Sequence, residues 1–70
     1  MNVNPKIVTI RFNKASNEFI AYDSNGEWHT RCDASKAPAT EGRTLVEYMF
    51  HKDEIGKVSI VNGETYVEVL

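Results

Sequence analysis

Along this chain, stretches in which apolar and polar residues alternate one by one give way only once to a stretch in which apolar residues recur every three or four. Lys6 to Phe12 (K-I-V-T-I-R-F) is rich in β-branched residues and sets Val8, Ile10 and Phe12 on one side against Ile7, Thr9 and Arg11 on the other, the period-two pattern of a strand. The polar run Asn13 to Asn17 reads as a turn, and Glu18 to Asp23 (E-F-I-A-Y-D) resumes the alternation. Ser24-Asn25-Gly26 then precedes Glu27 to Cys32 (E-W-H-T-R-C), where Asn-Gly supplies the two positive-φ positions of a type I′ hairpin. With Asn25 and Gly26 as the loop, Asp23 faces Trp28, Tyr22 faces His29, Ala21 faces Thr30, Ile20 faces Arg31 and Phe19 faces Cys32. A register set by the turn sets every side chain's face. Phe19, Ala21, Trp28, Thr30 and Cys32 therefore join Val8, Ile10 and Phe12 on the core side, and Ile20, Tyr22, His29 and Arg31 join the outer side.

Asp33 to Thr44 is small and polar, with Pro38 and Gly42 as punctuation, and reads as a loop with room for a helical turn. Thr44-Leu45-Val46-Glu47 fits a capping box. Leu45, Val46, Met49 and Phe50 follow at helical spacing, and His51 and Lys52 suit the negative end of a helix dipole. The expected helix starts at Thr44 and closes near Gly56. Lys57 to Val61, Asn62-Gly63 and Glu64 to Leu70 repeat the hairpin signature. That register pairs Val58 with Val67, Ile60 with Thr65 and Lys57 with Glu68, and turns Val58, Ile60, Val67 and Val69 toward the core.

The elements run β-β-β-α-β-β, which is an α+β chain with an antiparallel sheet of about five strands and one short helix on one face. Seventy residues, 41% of them hydrophobic and 26% charged, make one small domain that buries only about 60% of the surface its unfolded chain exposes. One helix leaves the other face of the sheet bare, so either the sheet curls toward a barrel or a partner covers it.

The element order and size resemble the five-stranded OB fold, and that resemblance implies a single-stranded nucleic-acid binder. The same order and length, with the Thr/Val-rich first strand Lys6 to Phe12, also resemble small phage-encoded anti-CRISPR proteins. This second resemblance implies an inhibitor that occludes a site on a larger protein, nucleic-acid-binding proteins among them. Neither carries a motif that assigns a functional residue.

Composition narrows the chemistry. A lone Cys32 excludes an internal disulfide, and with His29 and His51 it offers no ligand spacing for a metal. A nucleophilic centre needs a base within reach and a third group to orient it; the candidate pairs are Cys32 with His29, which lie on opposite faces in the expected register, and Ser59 with His51. Asp53-Glu54 are carboxylates adjacent in sequence and do not converge as acid and base. No glycine spacing matches a phosphate-binding loop, and Asp23-Ser24-Asn25-Gly26 is too short for a calcium loop. The expectation is a chain with no catalytic residue, no cofactor and no metal. Apolar runs too short to span a membrane, and no signal-peptide pattern, point to the cytoplasm.

Binding is the remaining class. Arg11, Ile20, Tyr22, His29 and Arg31 are expected to share the outer face, joining guanidinium groups and an aromatic ring suited to a protein contact or a stacked base. Residues 1–36 hold five basic against four acidic side chains, and residues 37–70 three against six, for a net charge of −2. Glu47, Asp53, Glu54, Glu64 and Glu68 make the second half a candidate acidic surface for a basic partner. The overall balance makes nucleic acid the less favoured partner. The final strand, Glu64 to Leu70, has neither Pro nor Lys, and at a sheet edge it would invite a second copy of the chain.

Overall fold

The computed structural model describes residues 6–70 as a single five-stranded antiparallel sheet with one α-helix on one face. Strands β1 (Lys6–Asn13), β2 (Glu18–Tyr22) and β3 (Trp28–Asp33) form a meander. A 3-10 turn (Ala34–Lys36), helix α1 (Gly42–Met49) and a second 3-10 turn (Lys52–Glu54) follow, and β4 (Ile55–Val61) and β5 (Glu64–Val69) close the chain as a hairpin. The spatial order is β3-β2-β1-β5-β4. The sheet is therefore open, with β3 and β4 at its edges. The final strand lies inside the sheet and not at an edge: β5 pairs with β1 (Val8 opposite Val67) and with β4 (Val58 opposite Val67).

The core is the layer between α1 and one face of the sheet. Leu45, Val46 and Phe50 pack on Val8, Ile10, Phe19, Ala21, Ile55, Val67 and Val69, with Met49, Cys32 and Val58 partly buried against them. Helix spacing delivers the first three residues to one stripe, as the sequence predicts. Its boundaries differ from expectation. The helix begins at Gly42 after Glu41, which makes no side-chain cap bond, and Glu47 closes no capping box with Thr44 but pairs with Arg43 at 2.9 Å. Both ends are instead held by the sheet. The Gly42 N–H donates to Thr65 Oγ1 on β5 at 3.1 Å, and Thr30 Oγ1 on β3 donates to the Met49 carbonyl at 3.4 Å.

The helix also ends sooner than expected, at Met49, because Gly56 belongs to β4. A Cβ there would meet the Glu68 carbonyl oxygen at 2.8 Å, and this close approach accompanies a bulge in which Gly56 and Lys57 occupy the interval between Ile55–Val69 and Val58–Val67. Two residues expected in the core are about half exposed, Phe12 at the end of β1 and Ile60 near the end of β4. Phe12 still packs on Phe19, with ring centres 5.5 Å apart.

The fully buried Leu45 anchors this layer. Leu45→Ala is expected to cost about 2–5 kcal/mol, the range for a truncated core leucine. Tyr48→Ala, at an exposed position of the same helix, should stay within about 0.5 kcal/mol of the parent. Urea unfolding followed by circular dichroism checks both.

Candidate functional site

Among the described residues no other element covers the face of the sheet away from α1, and its side chains fall into rows across the strands. Pairings of Trp28 with Tyr22, Tyr22 with Thr9, Thr9 with Tyr66 and Tyr66 with Ser59 make a central row Trp28–Tyr22–Thr9–Tyr66–Ser59. Directly opposed residues share a face, so all of these point outward. The neighbouring row runs Arg31–Ile20–Arg11 and continues to Glu64, whose carboxylate lies 3.1 Å from Arg11 Nε. Arg31 lies 3.8 Å from Glu18 and sets its guanidinium 5.2 Å from the centre of the Trp28 ring. Ile20, flanked in register by Arg11 and Arg31, is only 7% exposed; arginine stems laid along a sheet commonly cover apolar surface in this way.

Of the residues expected on this face, Arg11, Ile20, Tyr22 and Arg31 are there and His29 is not. His29 turns to the helix side, stacks on Phe50 with ring centres 5.6 Å apart and approaches Glu54 at 3.8 Å. Its place in the row is taken by Trp28, expected in the core and in fact 60% exposed. The first hairpin explains the exchange. Asn25 does not adopt positive φ; only Gly26 does, at +83°. The Gly26 N–H donates to the Asp23 carbonyl and the Asp23 N–H to the Glu27 carbonyl, which is a type I turn closed by a left-handed glycine rather than the two-residue type I′ loop. The longer loop pairs Trp28 with Tyr22, and a bulge at His29 restores the expected pairing from Ala21–Thr30 onward.

The Asp23 side chain selects this turn. Its Oδ1 accepts from the backbone N–H groups of Asn25 at 2.9 Å and Glu27 at 3.0 Å, and its other oxygen lies 3.6 Å from Lys6 Nζ. Desolvation alone raises the Asp23 carboxyl, but the Glu27 and Asn25 amides and the Lys6 charge outweigh it and hold the group below its ordinary 3.8. Sequence reasoning missed Trp28, and the signal for it was Asp at the start of D-S-N-G, since Asp caps such turns with its own side chain. Tyr66 is turned outward by the period-two alternation of β5, as the sequence reads, but the sequence reading did not group it with the site residues, because only the strand order sets β5 beside β1.

The acidic residues do not form one surface. Glu64 and Glu68 lie on the outer face, Glu47 on the exposed side of α1, and Glu54 in the second 3-10 turn, where it accepts from the His51 N–H at 3.2 Å; Asp53 lies beside it in that turn. Cys32 and His29 both face the helix side, contrary to the expected register. Burial, with the Asp33 and Glu18 carboxylates beside it, raises the Cys32 thiol above its ordinary value against an opposing hydrogen bond from Phe19, which works against formation of the thiolate. Among the described residues no group of three or more His, Cys, Asp or Glu side chains could hold a metal ion, and no helix is long and apolar enough to cross a membrane.

Comparison of the chain with protein-family models, with curated proteins and with solved structures finds no match. What the face can do is read from its own chemistry.

The turn that places Trp28 is expected to be acid-sensitive. Because the folded-state value of Asp23 lies below 3.8, its stabilising contribution is complete above the unfolded value and is lost as pH falls through the folded one. Denaturation at a series of pH values should show the parent losing stability on acidification. Asp23→Asn should lower stability near neutral pH and remove this part of the acid dependence, so that the two curves converge at low pH.

Proposed function

We propose that this chain is a non-enzymatic protein-binding module that uses the open face of its sheet to engage, and so occlude, a site on a larger protein. The observation that carries this reading is the row Trp28–Tyr22–Thr9–Tyr66, with an exposed tryptophan steadied by Arg31. Trp, Tyr and Arg are the residues that interfaces concentrate at their energetic centres. Thr9 and Ser59 keep the row short enough in side chain for a partner to approach, and the ion pairs of the neighbouring row, Arg11 with Glu64 and Arg31 with Glu18, supply a polar rim along one side. Occlusion of this kind requires no chemistry from the module, in keeping with a phage-type inhibitor, the class its element order resembles.

Single-stranded nucleic acid is the second reading, since aromatic side chains on an open sheet can stack on bases. Charge disfavours it. Arg11 and Arg31 already face Glu64 and Glu18, Glu68 lies on the same face, and the net charge is −2, whereas backbone binding draws its free energy from cations free to neutralise phosphates.

Affinity capture with the parent and paired variants tests the proposal. Trp28→Ala should weaken binding of a stoichiometric protein partner by about 2 kcal/mol or more, roughly thirty-fold, while Tyr48→Ala on the helix side leaves binding intact. A partner retained by Trp28→Ala and lost with Tyr48→Ala would move the site to the other face. Tight, salt-sensitive binding of a short oligonucleotide in an anisotropy titration would replace the protein reading with the nucleic-acid one.

A further inference from the structure

The sheet has two edges, and the chain guards them unequally. On β3 a bulge at His29 breaks the ladder, Arg31 and Asp33 add charge, and Thr30 is tied to the end of α1, all devices that discourage another strand from adding there. On β4 the only charge is Lys57, inside the bulge at the start of the strand. Val58-Ser59-Ile60-Val61 beyond it carries no charge, no proline and no bulge, and Ile60 and Val61 are 52% and 51% exposed.

The free backbone groups of that edge follow from the second hairpin. Asn62 and Gly63 both adopt positive φ (52° and 80°) between Val61 and Glu64, so this loop is the two-residue type I′ turn and Val61–Glu64 is a hydrogen-bonded pair. Antiparallel pairs alternate. Ser59–Tyr66 is then hydrogen-bonded as well, whereas Ile60–Thr65 and Val58–Val67 are not, and Ile60 and Val58 direct their N–H and C=O groups away from β5. Among the described residues no backbone hydrogen bond outside the strands engages them.

We propose that a second copy of this chain pairs with β4, antiparallel, about a two-fold axis through Ser59, joining two five-stranded sheets into one. Parity selects this register. It sets Val58 opposite Ile60 of the partner subunit and the reverse, so every outward-facing group of the two residues meets its complement and each pair exchanges both hydrogen bonds. A slip by one residue would oppose outward groups to groups already bound to β5. A slip that centres the axis on Ile60 or Val58 would bring in the turn at Asn62 or the bulge at Gly56. The side chains agree with the backbone. On the helix face Val58 meets Ile60, an apolar pair repeated by symmetry; on the outer face Ser59 meets Ser59 and Val61 meets Lys57, so no like charges are opposed. The central outer row then runs unbroken across the axis, ending in Trp28 at either extremity. This association is independent of the partner proposed for the outer face.

Sedimentation of the full chain over a range of concentrations, together with cysteine cross-linking, tests the pairing. The mass should rise from 7.9 kDa toward twice that value. Ile60→Lys, at an exposed position, should remain at the monomer mass with an unchanged circular dichroism spectrum. In a Cys32→Ser background, Ser59→Cys should form an intermolecular disulfide in a glutathione redox buffer, because the two Cα atoms of a non-hydrogen-bonded pair lie about 4.5 Å apart. Val61→Cys should not, because its two copies would lie about 13 Å apart along the strands, beyond a disulfide's reach of about 7 Å. A parent chain at the monomer mass at every concentration overturns the proposal. So does a dimer that survives Ile60→Lys, or cross-linking through Val61→Cys as readily as through Ser59→Cys.

Discussion

A five-stranded sheet has two faces, and the described residues offer one α-helix to cover them. The burial of Leu45, Val46 and Phe50 against Val8, Ile10, Phe19, Ala21, Val67 and Val69 is the interaction on which the rest depends. An eight-residue helix is marginal in water without tertiary support, so α1 exists because that layer exists. The threonines that hold its two ends, Thr65 on β5 and Thr30 on β3, fix its course over the sheet. The opposite face must then be stable in water, and its composition meets that demand: aromatic rings with polar ends at Tyr22 and Tyr66, hydroxyls at Thr9 and Ser59, and an isoleucine flanked by two arginines.

The same constraint explains which apolar residues stay exposed on the helix side. A helix of this length reaches about 12 Å, while five strands span about 19 Å between the first and last backbones. Phe12, at one end of its strand, falls beyond its cover, and Ile60, on an edge strand, meets the helix at Gly42, whose missing side chain leaves it half exposed. Alternation along a strand reveals which side a residue faces. It does not reveal how far the covering layer extends, and for that reason both residues read as core in the sequence.

The two Asn-Gly pairs show where local sequence is enough and where it is not. At Asn62-Gly63 the flanking residues make no competing hydrogen bonds, the turn follows the propensity of its two central residues, and the register of β4 with β5 from Val58 onward is legible in advance. At Asn25-Gly26 the carboxylate of Asp23 offers the backbone two acceptor bonds and captures a longer loop. The difference is one residue, and it carries Trp28 to the open face and His29 to Phe50. Most of the candidate face, Arg11, Ile20, Tyr22 and Arg31, was legible because the bulge at His29 returns β3 to the expected register. The residue that gives the face its largest exposed ring was not, since its side depends on a competition between two turns. The start of α1 was hidden for a related reason: Thr44 resembles a cap in sequence, but the helix begins at Gly42, whose amide is satisfied by Thr65, twenty-three residues away.

Charge placement separates the open face from the open edge. On the face, Arg11 with Glu64 and Arg31 with Glu18 flank the aromatic row. Exposed pairs of this kind add little stability, about 0.2–1 kcal/mol at most. They would nonetheless have to be desolvated if two copies stacked face to face, a cost that ion pairs recover only with excellent geometry. Along Val58–Val61 no such charge stands in the way, and strand addition there leaves the outer row in solvent. Charge therefore opposes copies of the chain on the face and not at the edge, and the proposed self-association through β4 and the proposed recognition of a different protein through Trp28, Tyr22 and Tyr66 call on separate surfaces that do not exclude one another.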